Sequence, residues 1–250
     1  MHLVHHKECW GTALLLFLLV LVCSAPYLVN GLLEGGDLTF TLSRIEGIAD
    51  GLRTGQFPVK LHPYSVHGYG YAAPVFYPEL FLYPFALLRL LSFPITTVYK
   101  LFMIFINALT VCIAYYAYAR MFRSKWLGYA GSFAYAFGSF RLIDMFSRAA
   151  AGQELAIAFL PLVLYGFFLI MTADLSSPKG KIAFLPLALG MTGILGSHLL
   201  SGEIAVVFLV LACILCWKRT FVRGGCTYCF IGKGGRVVYP ADARVHCSIS

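Results

Sequence analysis

The chain has 250 residues, 60% of them hydrophobic and only 12% charged, with a mean hydropathy of +0.79. A water-soluble domain is roughly 45–50% apolar and about 25% charged, so this composition leaves too little polar surface to cover a globule in water. The net charge of +8 does not point to nucleic acid, because the basic residues fall in short clusters between apolar blocks rather than in a stripe interleaved with aromatics.

The apolar residues are gathered in blocks of membrane-spanning length, which predicts an all-α, polytopic transmembrane helix bundle of about six spans. The first block, 11–30, imitates a signal peptide: Lys7, an apolar run, then Cys23-Ser24-Ala25. Cleavage after Ala25 would put Pro26 beside the cut, and the apolar run resumes at Tyr27-Leu28-Val29. A lipoprotein cleavage at Cys23 is disfavoured because Val22 stands where a small residue is needed. The block reads as an uncleaved first span. Further spans are predicted at 101–118, 127–143, 155–172, 182–200 and 204–217.

Basic residues set the orientation. Arg120, Arg123 and Lys125, then Lys179 and Lys181, then Lys218 and Arg219 all fall on the side of Lys7 if every block crosses once. The resulting expectation is a multi-pass plasma-membrane protein with both termini cytoplasmic. Residues 1–217 form its membrane domain, and 31–100 form a large loop on the outer face.

That loop has three parts. Over 38–54, Leu38, Leu42, Ile45, Ile48, Ala49 and Leu52 share one face at intervals of three and four, while Arg44, Glu46, Asp50 and Arg53 lie elsewhere. This predicts an amphipathic helix suited to an interface. Residues 56–78 are dense in Tyr, Pro and Gly, an ordered irregular stretch whose tyrosines fit a membrane–water boundary. Residues 79–93 are apolar but too few: fifteen residues rise about 22 Å against a core of about 30 Å. They read as a re-entrant or interfacial helix.

The end of the chain changes style. Residues 218–250 are rich in Gly, Cys and Arg without apolar periodicity, which fits a short cytoplasmic tail or, the reading the composition favours, a reading-frame slip with loss of further spans. Cys226, Cys229, His246 and Cys247 have the residue types of a zinc site but lack a second properly spaced pair. Cys23, Cys112, Cys213 and Cys216 sit in apolar blocks as small hydrophobes.

A charge at the centre of a membrane helix costs roughly 2.5–3.5 kcal/mol, so charges near spans ask for a reason. Asp37 follows the first span; Arg141, Asp144 and Arg148 end the third; Glu154 begins the fourth; His198 ends the fifth and Glu203 begins the sixth. The predicted topology puts all of them at the outer ends, where they would form one polar cluster beside the 31–100 loop. Arg141 and Asp144, three apart, could also simply pair. Carboxylates near basic groups suit a lipid-linked phosphate substrate. Arg and His would hold the phosphate, and a carboxylate would deprotonate a hydroxyl or hold a divalent cation. No P-loop, GxSxG or HExxH motif is present.

The string GDLTFTLSRIEGIADGLRTGQFPVKLHPYSVHGYGYAAPVFYPELFLYPFALLRLL and the later FRLIDMFSRAAAGQELAIAFLPLVLYG resemble the bacterial membrane proteins called 6-pyruvoyl-tetrahydropterin-synthase-related. The likeness covers about 11–217. These proteins resemble the GT-C superfamily, polytopic glycosyltransferases that draw sugars from polyprenyl-phosphate carriers. The resemblance implies a large outer loop with an acidic residue near its start, a place that Asp37 holds, and Arg44-Ile45-Glu46 matches the family string. Asp37 and Glu46 are then the expected catalytic carboxylates. Arg44, Arg141, Asp144, Arg148, Glu154, His198 and Glu203 are the expected substrate contacts. A histidine is common where this chain has Thr41, a departure that bears on activity. The family usually has more spans, so the expected chain is an N-terminal membrane half. Its expected partners are membrane lipid and a polyprenyl-phosphate sugar; protein partners stay open. Two other classes remain: a transporter or flippase for a lipid-linked intermediate, and a non-catalytic partner in cell-surface polymer assembly.

Overall fold

The computed structural model describes residues 2–172 and 180–216, together with two short strands at 230–231 and 237–238. The chain forms two compact units, Met1–Ala205 and Val206–Ser250.

In the first unit the apolar blocks become helices. Helix α1, His2–Ser24, continues through a 3-10 turn, Ala25–Tyr27, where Pro26 ends the regular hydrogen bonding. Helix α5 spans Ile95–Met121 and α8 spans Ala151–Thr172. Three stretches, Trp10–Tyr27, Ile95–Met121 and Ala151–Thr172, are long and apolar enough to cross a membrane. The protein is therefore an all-α membrane protein. Where the other spans are expected the helices are shorter: α6 (Lys125–Ala136), α9 (Leu185–Leu195) and α10 (Leu199–Leu215), the last crossing the boundary between the units.

The expected span over 127–143 is broken. Helix α6 stops at Ala136, Gly138 caps a short α7 (Ser139–Ile143), and a π-helical turn, Asp144–Arg148, follows. That turn closes on Ala149 in the left-handed region, φ 52°, before α8 begins. A π turn inserts an extra residue per turn and re-aims side chains, a common device at functional sites.

Helix α2, Leu38–Arg53, forms where the period of three and four predicts it. It does not lie open on one face. Ile45, Ile48 and Ala49 pack into a core with Tyr99, Phe102 and Phe85, the last from α4 (Tyr83–Leu90). On another face Gly47 and Gly51 admit loop side chains: a Cβ on Gly47 would stand 2.4 Å from the His62 ring, and one on Gly51 2.5 Å from Val59. The two glycines let the 55–78 segment, with its short α3 (Ala73–Phe76), pack directly on the helix. The short apolar helix expected after Pro78 is present over Leu80–Leu90.

Helices α8 and α9 meet at backbone distance. A Cβ on Gly166 would fall 2.2 Å from the Leu187 nitrogen, and those on Gly190 and Gly193 would strike Val163 and Phe159. Small residues that bring backbones together are how helices associate in lipid, where apolar surface alone gives no preference.

In the second unit, Phe230–Ile231 pairs antiparallel with Val237–Val238. Apart from these strands, the expected 218–250 tail lies outside the described residues, as do Cys226, Cys229, His246 and Cys247.

Candidate functional site

Asp37 stands at the mouth of α2 and is held there from outside the helix. The backbone of Gly36 donates to the Ser147 carbonyl at 3.4 Å, and Asp37 donates to Arg148 at 2.7 Å. This crossing needs glycine, since a Cβ on Gly35 would lie 2.5 Å from the Ala149 Cβ. The π turn thus delivers Asp144 and Arg148 beside Asp37. Arg148 donates to Asp144 Oδ1 at 2.7 Å and to Gln153 Oε1 at 3.1 Å. Burial pushes the Asp144 carboxyl up from its ordinary 3.8; Arg148 draws it back down and the charge of Asp37 adds to the rise. Its second oxygen, Oδ2, is buried and makes no hydrogen bond.

His198 caps the start of α10, where its Nδ1 accepts from the Ser201 backbone at 3.3 Å and meets Ser201 Oγ at 2.8 Å. It lies within electrostatic reach of Arg148, Arg44 and Asp37.

Arg44 completes the group from α2, and not on the solvated face expected of it. It is 5% exposed. Its Nε donates to Glu79 Oε1 at 3.1 Å and its Nη2 to the Pro78 carbonyl at 2.6 Å, while the Phe40 and Tyr77 rings, 4.8 Å from each other, both lie 5.5 Å from the guanidinium carbon on one side of it. Glu79 Oε2 meets His62 Nε2 at 3.2 Å, and His62 is itself 1% exposed. Burial lowers the Arg44 pKa and Glu79 raises it again. Arg44 lines a small cleft of about 10 Å³, room for about one water molecule, whose walls include Thr41, Phe102, Gly152, Leu155 and Ser197. A Cβ on Gly152 would approach Arg44 Nη1 at 4.0 Å and the Ser197 carbonyl at 3.3 Å, so glycine keeps this side of the cleft open.

Other expected contacts sit apart from the cleft. Arg141 does not pair with Asp144. It faces Glu154 Oε2 at 3.1 Å, donates to the Ala136 carbonyl at 2.9 Å, and bonds Asn107 Oδ1. Asn107 in turn donates to Ser24 Oγ at 3.1 Å. This buried network joins α1, α5, the end of α6 and α8, and it acts as framework. The Arg141–Glu154 contact is close but lacks hydrogen-bond alignment, which leaves Arg141 Nε and both Glu154 oxygens unsatisfied. Glu46 is also separate from Asp37. It lies nine residues along α2, about 13 Å, and is held by Arg89 at 2.6 and 2.9 Å with Arg53 at 3.6 Å. Glu203 is exposed.

No family model, no curated protein and no solved structure matches this chain. Function therefore rests on geometry. Among the described residues no group of three or more His, Cys, Asp or Glu is gathered to hold a metal ion; the groups that do converge are a mixed acid–base set.

Glu79 and His62 are the site residues that sequence reasoning missed. One signal was there to read: Glu79 is the only charged residue between Lys60 and Arg89. A lone acid in such a stretch needs a partner, and Arg44 supplies it.

Proposed function

We propose that this chain is the N-terminal membrane half of a GT-C-like glycosyltransferase, acting on a polyprenyl-phosphate-linked sugar at the outer membrane face. The observation that supports this reading is the convergence of Asp37 and Arg44 of α2, the Asp144–Arg148 pair of the π turn and His198 before α10, three separate segments, beside the cleft that Arg44 lines. In the proposed topology α6 with α7, α9 and α10 complete six crossings, and both termini are cytoplasmic.

In the reaction Asp37 takes the proton of an acceptor hydroxyl as its oxygen attacks the anomeric carbon. The bond from that carbon to the phosphate oxygen breaks, and the electron pair leaves with the polyprenyl phosphate. Arg148, His198 and Arg44 offset the negative charge that develops there. Asp144 keeps Arg148 aimed.

The test uses the full chain in lipid nanodiscs with a polyprenyl-phosphate sugar and a mixture of hydroxyl acceptors. Release of polyprenyl phosphate is expected, and Asp37→Asn should slow it roughly 10²–10⁴-fold while leaving lipid-phosphate binding intact. Failure to bind the lipid phosphate at all would sink the reading. Movement of the intact lipid-linked sugar across the bilayer would replace it with the flippase reading.

A further inference from the structure

The depth of the Arg44 cleft can be read from α5. Lys100 and Arg120 are 20 residues apart on that helix, a rise of about 30 Å, which matches the hydrocarbon core. These two basic residues mark its boundaries. Phe102 lies just inside the Lys100 boundary, and it lines the same cleft as Arg44 and as Leu155 of α8. Arg44 shares that cleft with Phe102, and Glu79 and His62 join Arg44 through contacts of 3.1 and 3.2 Å, so the turn that begins at His62 starts near that boundary.

What hangs there is a turn of unusual character. His62 and Tyr71 exchange backbone hydrogen bonds of 2.9 and 3.1 Å and close it at the base. Within it Gly70 donates to the Ser65 carbonyl at 3.0 Å and Tyr69 to Val66 at 3.1 Å. Val66 and His67 hold left-handed backbone at φ 53° and 55°, an uncommon conformation for a β-branched residue. The turn is a braced shape rather than a slack connection, and strain of this kind concentrates where a surface has a task.

The shape presents apolar and aromatic groups. Tyr69 is 89% exposed, and Tyr64, Val66, Val75 and Phe76 are exposed beside it. Residues 61–78 contain no Asp, Glu, Lys or Arg. Tyrosine-rich, charge-free surface at headgroup height has the chemistry of a membrane aromatic belt. A site for a charged partner would carry charge, whereas the loop's charges stop at Lys60 and resume only at the buried Glu79.

We propose that the Tyr64–Tyr71 turn is an aromatic foot seated in the phospholipid interface, anchoring the wall of the Arg44 cleft to the bilayer. The occupant of this surface is lipid. The inference does not depend on glycosyl transfer and stands or falls separately.

The experiment places a tryptophan at the tip, Tyr69→Trp, in full-length chain with Trp10, Trp126 and Trp217 each replaced by Phe, reconstituted in nanodiscs. Two quenchers are compared: phosphatidylcholine brominated near the headgroup end of its chains, and aqueous iodide. The expected result is about a twofold or greater fall in emission with the brominated lipid and weak quenching by iodide. Iodide quenching at the level of free indole with no lipid effect would overturn the proposal. Shielding from both quenchers would also overturn it, because a protein surface would then cover the turn. Tyr64→Trp, read the same way, gives an independent second position.

Discussion

The backbone N–H of Asp37 bonds the Arg148 carbonyl at 2.7 Å, joining residues 111 apart in sequence. The bond fixes the start of α2 to the π turn, so the acid of one segment and the base of another share a rigid frame.

Gly35 permits that crossing. In Gly35→Ala the new methyl would meet Ala149 Cβ at 2.5 Å and Ala149 N at 3.1 Å, and backbone cannot swing aside as a side chain can. The variant should lose about 1–3 kcal/mol of stability and most of its lipid-phosphate binding. Denaturant titration in detergent micelles with a parallel binding assay checks it; wild-type behaviour in both would show that the Asp37–Arg148 crossing is not required.

Glu154 is fully buried and Arg141 nearly so. Glu154→Ala leaves the guanidinium without its counter-charge and should cost about 3–5 kcal/mol. The paired change Arg141→Met with Glu154→Leu removes both charges and should recover most of that loss. A double mutant no more stable than Glu154→Ala alone would mean that Asn107 and the Ala136 carbonyl, rather than the ion pair, hold this junction.

Arg44 uses its fork for two hydrogen bonds and sets its guanidinium against a pair of touching aromatic rings. Arg44→Lys keeps the charge but cannot reach Glu79 and Pro78 together or lay a planar cation against the Phe40 and Tyr77 rings. Stability should fall by about 1.5–3 kcal/mol, the range for hydrogen bonds to charged groups. Thermal unfolding of the purified protein measures it, and a lysine variant as stable as the parent would refute the role given to the fork.

The Glu46–Arg89 pair gives an acid signature. Hydrogen bonding to Arg89 holds the Glu46 carboxyl below its ordinary 4.5, with partial burial opposing. A depressed carboxylate stabilises the fold above its unfolded value and loses that contribution as pH falls through its folded value. The pair is partly exposed, so screening limits it to about 0–1 kcal/mol. Wild type should exceed Arg89→Ala in melting temperature near neutrality, and the two should converge below pH 4.5 as Glu46 takes up its proton. A gap that stays constant into acid would assign the effect of Arg89 to its bond with the Phe93 carbonyl instead.

Much of this architecture is legible in the residues. The spacing of Leu38, Ile45 and Ile48 gives α2 nearly to the residue, because a buried stripe must recur with the helical period. The membrane class follows from composition, and three long helices carry it. The second covered face of α2 is not legible in that way: Gly47 and Gly51 add no hydrophobicity, and their meaning lies in what fits against them. Nor is the partner choice of Arg141 legible. The spacing of three suggests Asp144, but the π turn gives Asp144 to Arg148 and leaves Arg141 facing Glu154 from another helix. Gly138 breaks the expected span at 127–143 where an apolar count sees a continuous block.

The glycine contacts between α8 and α9 have a consequence for biogenesis. At 11 residues, α9 rises about 16 Å and cannot hold itself across a core of about 30 Å. Among the described residues it docks Leu187, Gly190 and Gly193 against α8. Its retention is therefore inherited from the helix made before it. The order of synthesis, α8 first and α9 directly after, gives the short helix a docking partner as it emerges.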